Sequence, residues 1–221
     1  MTAILVLLTI IIAVAVDVAL VALRRRRVAP PQPVVEPMRE PQVPPGVFLS
    51  PGHSWAHIAS DGTVRVGADD FLAQALGEAS EVRLPAKGTR VKAGDPLFWL
   101  RIGPRELAVP APMAGEVVSI NPAVEQNPYL LARDPYGVGW VVSLWSPDIQ
   151  EAIKQLRVGA GAVGFLRQEL RQLVEFLTMT YAAQPIPVLA DGGLPVRGAL
   201  QLVDEPTWEV FQEVFLRRER R

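Results

Sequence analysis

Hydrophobic residues follow three different patterns along this 221-residue chain. Residues 3–23 are an almost unbroken apolar run, and residues 47–147 contain short apolar stretches separated by Gly and Pro turns. After residue 147 the apolar residues recur at helical spacing. These patterns predict a membrane-spanning helix, a small β barrel or sandwich, and a helical extension, in that order.

The apolar run has about the ~20 residues that a helix needs to cross a bilayer. Four arginines, residues 24–27, follow it directly, whereas a cleaved secretory signal carries its positive charge before the apolar stretch. We therefore expect residues 1–27 to be an uncleaved single-pass anchor in the cell (inner) membrane. Because positive charge favours the inner side, the C-terminal domain is expected in the cytoplasm.

Asp17 is an acidic residue inside the apolar run. At the bilayer centre a carboxylate costs roughly 2.5–3.5 kcal/mol on insertion scales, so it normally faces a partner or water. Two interpretations stay open. Asp17 contacts a polar group on another transmembrane helix, or it lies close enough to the cytoplasmic end to reach headgroup water.

Residues 28–46 contain seven prolines and little that could form a core. This composition predicts an extended, polyproline-like linker. A proline-rich ligand for an aromatic groove on a partner is the alternative.

Residues 47–147 are expected to form a mainly β domain with one helix. Turn sequences such as Asp61-Gly62 and Ala114-Gly115 separate the short apolar stretches, which favours many short strands. Asp69 is a candidate N-cap for a helix over Asp70–Leu76, and Gly77 is its candidate stop.

Residues 148–221 are expected to be helical. One apolar stripe consists of Val163, Leu166, Leu170, Leu173, Val174 and Leu177, with Arg167, Glu169 and Arg171 assigned to the polar side. A last helix is expected to start at Asp204 and to carry Trp208, Phe211, Val214 and Phe215 on one side.

The composition excludes several kinds of chemistry. The chain has no cysteine, so thiolate catalysis and cysteine-ligated metals are absent, and a net charge of −1 gives no general attraction to nucleic acid. His53 and His57 stand four apart in a segment that reads as a strand, with no third histidine to complete a metal site. No nucleophile, base and orienting group occur together, so we expect neither catalytic nor metal-binding residues, and no enzyme.

Two long segments carry a family resemblance. GHSWAHIASDGTVRVGADDFLAQALGEASEVRLPAKGTRVKAGDPL and PAPMAGEVVSINPAVEQNPYLLARDPYGVGWVVSL are similar to the glycine cleavage system H protein. The resemblance implies a barrel-sandwich hybrid of the biotinyl/lipoyl type. It also implies a lipoyl arm, held on a lysine at a hairpin tip, that carries an aminomethyl group between enzymes.

The resemblance fails at the attachment point. The family's E-S-V-K segment falls on Arg101, Ile102, Gly103 and Pro104, so Pro104 stands where the lipoyl lysine is expected. Only a primary amine can form the amide to lipoate, and we therefore expect no lipoyl cofactor at this tip.

The sequence thus favours a membrane-anchored, non-lipoylated adaptor that docks to a lipoyl-dependent or redox membrane complex. The candidate partner contacts are Arg101, Gly103, Pro104 and Arg105 at the tip, with Asp17 in the membrane. One alternative is a carrier that uses another lysine, such as Lys92. Another is a membrane-fusion type of export adaptor. The oligomeric state stays open.

Overall fold

The structure is a computed structural model and describes residues 36–181 and 193–216. The strands in this part of the chain are β1 (Val47–Leu49), β2 (Ser54–Ile58), β3 (Val64–Ala68), β4 (Glu81–Arg83), β5 (Arg90–Val91), β6 (Pro96–Ile102), β7 (Arg105–Pro110), β8 (Gly115–Ile120), β9 (Val142–Trp145) and β10 (Arg157–Val158). The helices are α1 (Asp70–Leu76), α2 (Pro122–Gln126), α3 (Tyr129–Arg133), α4 (Ile149–Ile153), α5 (Ala160–Thr180) and α6 (Glu205–Phe211). A 3₁₀ turn (Ala199–Gln201) precedes α6 and a π-helical turn (Gln212–Leu216) follows it.

The strands form two antiparallel sheets. The larger has the order β10-β1-β2-β3-β9-β8-β5, and the smaller has the order β4-β6-β7. Alternating residues of β6 and β7 point into the core, among them Leu100 and Leu107. This arrangement confirms the prediction of a mainly β fold with a C-terminal helix.

Helix α1 forms as the sequence predicts. The Asp69 side chain accepts a hydrogen bond from the Leu72 backbone N–H (2.9 Å), which satisfies one of the free donors of the first turn. Gly77 ends the helix with a φ of 69°, a backbone conformation that residues with a side chain rarely adopt. All seven helical residues are buried, so α1 is a central element of the core.

Helix α5 buries the leucines of the predicted apolar stripe, leaves Val163 and Val174 half-buried, and also buries a charged residue. Leu166, Leu170, Leu173 and Leu177 are buried, which confirms the helical spacing. Glu169, assigned to the polar side because of its charge, is instead fully buried. It lies three residues after Leu166 and four before Leu173, and therefore on the inner face of the helix.

The second half of the predicted linker is part of the folded unit, which begins at Glu36. Met38 is buried, and Arg39 forms an ion pair with Asp70 (2.9 Å). The Gln42 backbone N–H donates to the other Asp70 oxygen (2.9 Å). Residues 36–46 are therefore not a free spacer, because the Asp70 carboxylate fixes them on α1. The rest of the linker, the anchor segment and Asp17 lie outside the described residues.

The predicted extension is not purely helical. Strand β10 pairs with β1 in the larger sheet, so the boundary at residue 147 does not separate the sheet from the helices. Residues 193–216 pack on the same core and bury Leu200, Trp208, Phe211 and Phe215. Within the described residues, no helix combines the length and the apolar character needed to cross a membrane.

Candidate functional site

The β6–β7 hairpin ends in a two-residue turn made of Gly103 and Pro104. Ile102 pairs with Arg105 across the turn. Gly103 has a φ of 58°, and glycine is the residue that readily adopts such a positive φ at the first position of a two-residue turn. Both turn residues are exposed. A Cβ built on Gly103 would meet no atom within 4 Å. The tip is therefore open to solvent, but it presents no primary amine.

Arg101 lies on the outer face of this hairpin and is 44% exposed. Its Nε donates to Glu81 Oε2 on β4 (2.7 Å), and its Nη2 lies 3.6 Å from Glu106 Oε1 on β7. Exposed ion pairs of this kind contribute little, about 0–1 kcal/mol. Arg101 can thus exchange them for a carboxylate of a partner at small cost.

Arg105 is held within the molecule, unlike the exposed contact that the sequence suggested. Its side chain is only 15% exposed. The guanidinium donates to the carbonyl oxygens of Val203 (2.6 Å) and Leu200 (3.4 Å) and to Glu205 Oε2 (2.8 Å). It also lies over the Trp208 ring, 5.4 Å from its centroid. These four contacts bind the hairpin to residues 200–208, which leaves Gly103 and Pro104 as the open part of the tip.

The lysines of the chain, Lys87, Lys92 and Lys154, all lie elsewhere and are exposed. Lys92 is in the turn between β5 and β6, where its backbone N–H donates to the Asp95 side chain (2.8 Å). None of the three is in the β6–β7 hairpin, so the residues present at the tip do not fit a lipoyl group.

A buried polar cluster lies around His53, between β2 and α5. The His53 ring is fully buried, with Nδ1 2.8 Å from Asp69 Oδ2 and Nε2 3.7 Å from Glu169 Oε2. The rings of Phe71 and Phe165 flank it at centroid distances of 4.6 and 5.4 Å. His53 is also the non-glycine residue with a positive φ (62°) among the described residues. Such strain persists only where the surroundings impose it.

The two carboxylates control the protonation of His53. Burial alone lowers the pKa of the imidazole, but the charge and hydrogen bond of Asp69, together with Glu169, outweigh it and raise the pKa from 6.5 to about 9. His53 is therefore a cation at neutral pH. With all three side chains at 0% exposure, no substrate reaches the cluster, and we assign it to holding α5 against the sheet.

The Asp-Pro-Tyr-Gly segment, residues 134–137, also has a structural role. The Trp55 Nε1–H donates to the Pro135 carbonyl oxygen (3.0 Å), and the Asp70 N–H donates to the Tyr136 hydroxyl (3.1 Å). Burial, followed by the nearby Asp69 charge, raises the pKa of Tyr136, which therefore stays neutral. The segment ties β2 to the start of α1.

The sequence located the hairpin tip, yet it did not reveal the partners of His53 or Arg105. The only sequence indication for Glu169 was its place within the apolar spacing of α5. In the described parts of the chain, no group of three or more His, Cys, Asp or Glu residues is arranged to hold a metal ion.

Comparisons with known proteins agree on one family. The glycine cleavage H-protein family matches residues 48–168. A probable glycine cleavage system H protein of Thermococcus kodakarensis is 35% identical over 128 residues, which cover 58% of this chain and 95% of that protein. The glycine cleavage system H protein of Mycolicibacterium vanbaalenii is 36% identical over 103 residues, or 47% of this chain and 79% of that protein. A crystal structure of an H protein from Mycobacterium marinum superposes with a TM-score of 0.50 at 30% identity, over 57% of this chain and 99% of that one.

Proposed function

The chain belongs to the glycine cleavage H-protein family, and from this membership we propose that it is a docking protein that carries no lipoyl group. The typical role of the family is to carry lipoyl, and an H protein is not itself an enzyme. A member without the attachment lysine can keep the binding surface of a carrier while losing the transfer chemistry.

One observation carries this proposal. The β6–β7 hairpin has paired strands and an exposed turn, and the turn consists of Gly103 and Pro104. Forming the lipoyl amide requires an amine nitrogen that displaces the leaving group of an activated lipoate, and neither residue has one. The turn at which the family resemblance expects the attachment lysine therefore offers no reactive nitrogen.

We propose that partners meet the tip and the outer face of the small sheet. Gly103 and Pro104 are exposed, and Arg101 offers a cation next to them. The expected partners are proteins that recognise H proteins or a lipoyl-dependent or redox complex. The apolar run and the four arginines near the N-terminus support a single-pass anchor in the cell membrane with the folded domain in the cytoplasm, and Asp17 within that anchor would be a further contact.

The first test is the intact mass of the full-length protein purified from its native cells. We expect the mass that the sequence gives, with no lipoyl group. The matched variant is Pro104→Lys, which restores an amine at the tip and is expected to gain one lipoyl group when incubated with lipoate, ATP and a lipoate ligase. A lipoyl group on the unaltered protein would refute the proposal, and peptide mapping over Lys87, Lys92 and Lys154 would then identify a carrier lysine.

The second test measures docking with purified enzymes of a glycine cleavage system in a pull-down with the full-length chain. Arg101→Glu is expected to weaken binding because it reverses the exposed charge at the tip. Arg90→Glu is the matched control, because Arg90 is also an exposed strand arginine that forms an ion pair, with Glu116 (2.9 Å), and it lies in the other sheet. Equal binding by both variants would exclude the tip as the docking surface.

A further inference from the structure

Residues 193–216, which we call the C-terminal segment, contact the chain where the folded unit begins. The Met38 N–H donates to the Pro195 carbonyl oxygen (2.8 Å), and the Arg197 N–H donates to the Glu36 carbonyl oxygen (2.8 Å). Pro37 and Val196 form an antiparallel bridge between these two bonds. The first residues of the folded unit are thus paired with the C-terminal segment.

The middle of the C-terminal segment is fixed on α1. The Gly198 N–H donates to the Gln74 carbonyl oxygen (2.8 Å), and the Gln201 side chain donates to the Leu76 carbonyl oxygen (2.7 Å). Leu200 is fully buried and Val203 is 3% exposed. Because α1 is buried along its whole length, it gives the segment a rigid support.

Residues 200–208 of the C-terminal segment bind the hairpin through Arg105. The guanidinium spans two backbone carbonyls and the Glu205 carboxylate, and it covers the Trp208 ring. Arg105 comes directly after the turn and pairs with Ile102 across it. Holding Arg105 therefore also holds the two turn residues.

We propose that the C-terminal segment is a brace that fixes the hairpin tip relative to the start of the folded unit, with Arg105 as its positioning residue. A carrier visits several enzymes with a mobile arm. This tip is instead a static docking point that stays at a fixed distance from Glu36. The static role rests on the docking function proposed above, whereas the fixed geometry is a property of the protein alone.

The test is a distance measurement between two spin labels on the full-length protein. Because the chain has no cysteine, Glu36→Cys with Pro104→Cys gives two unique labels. Glu36 contributes only its carbonyl oxygen to the brace, so its side chain can be replaced. In the protein with Arg105 we expect one narrow distribution of label-to-label distances. In the Arg105→Ala variant we expect a broad distribution instead.

Two controls separate the brace from a general loss of structure. A label pair at Glu36→Cys and Ser60→Cys reports on the exposed β2–β3 turn and should be unaffected by Arg105→Ala. If Arg105→Ala does not fold, Arg105→Lys serves instead, because one ammonium cannot span the three acceptors and should broaden the distribution partly.

A broad distribution in the unaltered protein would overturn the proposal, and so would a narrow one that survives both Arg105 substitutions. The measurement needs no partner. A failure of docking would therefore leave this result standing, and a mobile tip would count against the brace without excluding docking.

Discussion

The buried imidazolium of His53 makes the stability of the protein depend on pH in a defined direction. In the folded protein the pKa of His53 is raised from 6.5 to about 9. The folded state then binds the proton more tightly than the unfolded state does, so the stabilisation is fully present below pH 6.5. It is lost as the pH rises through about 9. A difference of this size corresponds to about 3 kcal/mol of unfolding free energy.

The assay is urea unfolding of the full-length protein at pH values from about 6 to about 10. Other groups also titrate in this range, so the informative quantity is the difference between the unaltered protein and Glu169→Gln. This substitution keeps the shape of the side chain and removes one of the two carboxylates that raise the pKa of His53. We expect the difference to be large at pH 6 and to shrink toward pH 10, because a neutral His53 no longer interacts with the charge.

The matched control is Glu175→Gln on the exposed side of α5, for which we expect no such pH dependence. The protonation of His53 can also be followed directly by ¹⁵N NMR, since the chain has only two histidines and the second, His57, is exposed. A His53 ring that loses its proton below pH 6.5 would refute the reasoning. So would a Glu169→Gln difference that is equal at pH 6 and pH 10.

The remaining predictions concern backbone conformation and a buried hydrogen bond. Gly77→Ala should lower the unfolding free energy by at least roughly 1–3 kcal/mol, because φ is positive there and the added Cβ would lie 2.9 Å from the Gly198 Cα. Gly164→Ala within α5, where a Cβ meets nothing within 4 Å, should instead raise the unfolding free energy by up to about 1 kcal/mol. Urea unfolding of the two variants checks these predictions, and changes of the same sign in both variants would contradict them. Trp55→Phe removes the indole donor to the Pro135 carbonyl oxygen (3.0 Å) and should cost about 1–3 kcal/mol, which an unchanged urea midpoint would disprove.

The elements that the sequence predicted well are those that neighbouring residues determine. Helix α1 was placed from Asp69 to Gly77 because both ends depend on local chemistry: a side-chain oxygen three residues from the N–H it accepts, and a glycine at positive φ. The hairpin turn was located for the same reason.

The contacts that the sequence did not predict join distant parts of the chain. Glu169 was placed by its charge on the polar side of α5, although its position within the apolar spacing put it on the inner face. The prediction followed charge rather than spacing because a buried carboxylate requires a cation nearby. The cation that faces Glu169 is His53, which lies in a different element. Arg105 was unpredictable for another reason: two of its acceptors are backbone carbonyls, which leave no trace in residue type.

Helix α5 explains why the family domain and the C-terminal segment form one folded unit. The family match ends at residue 168, but the helix continues to Thr180 and buries Leu173 and Leu177 beyond that point. Phe215 packs on Phe176 from this second half of the helix, at 6.0 Å between ring centroids, and on Phe71 of α1, at 5.9 Å. The same aromatic side chain thus joins the C-terminal segment to a helix inside the family domain and to a helix that extends beyond it. Without the segment, apolar surface of both helices would face water, so the brace and the domain that it supports depend on each other for stability.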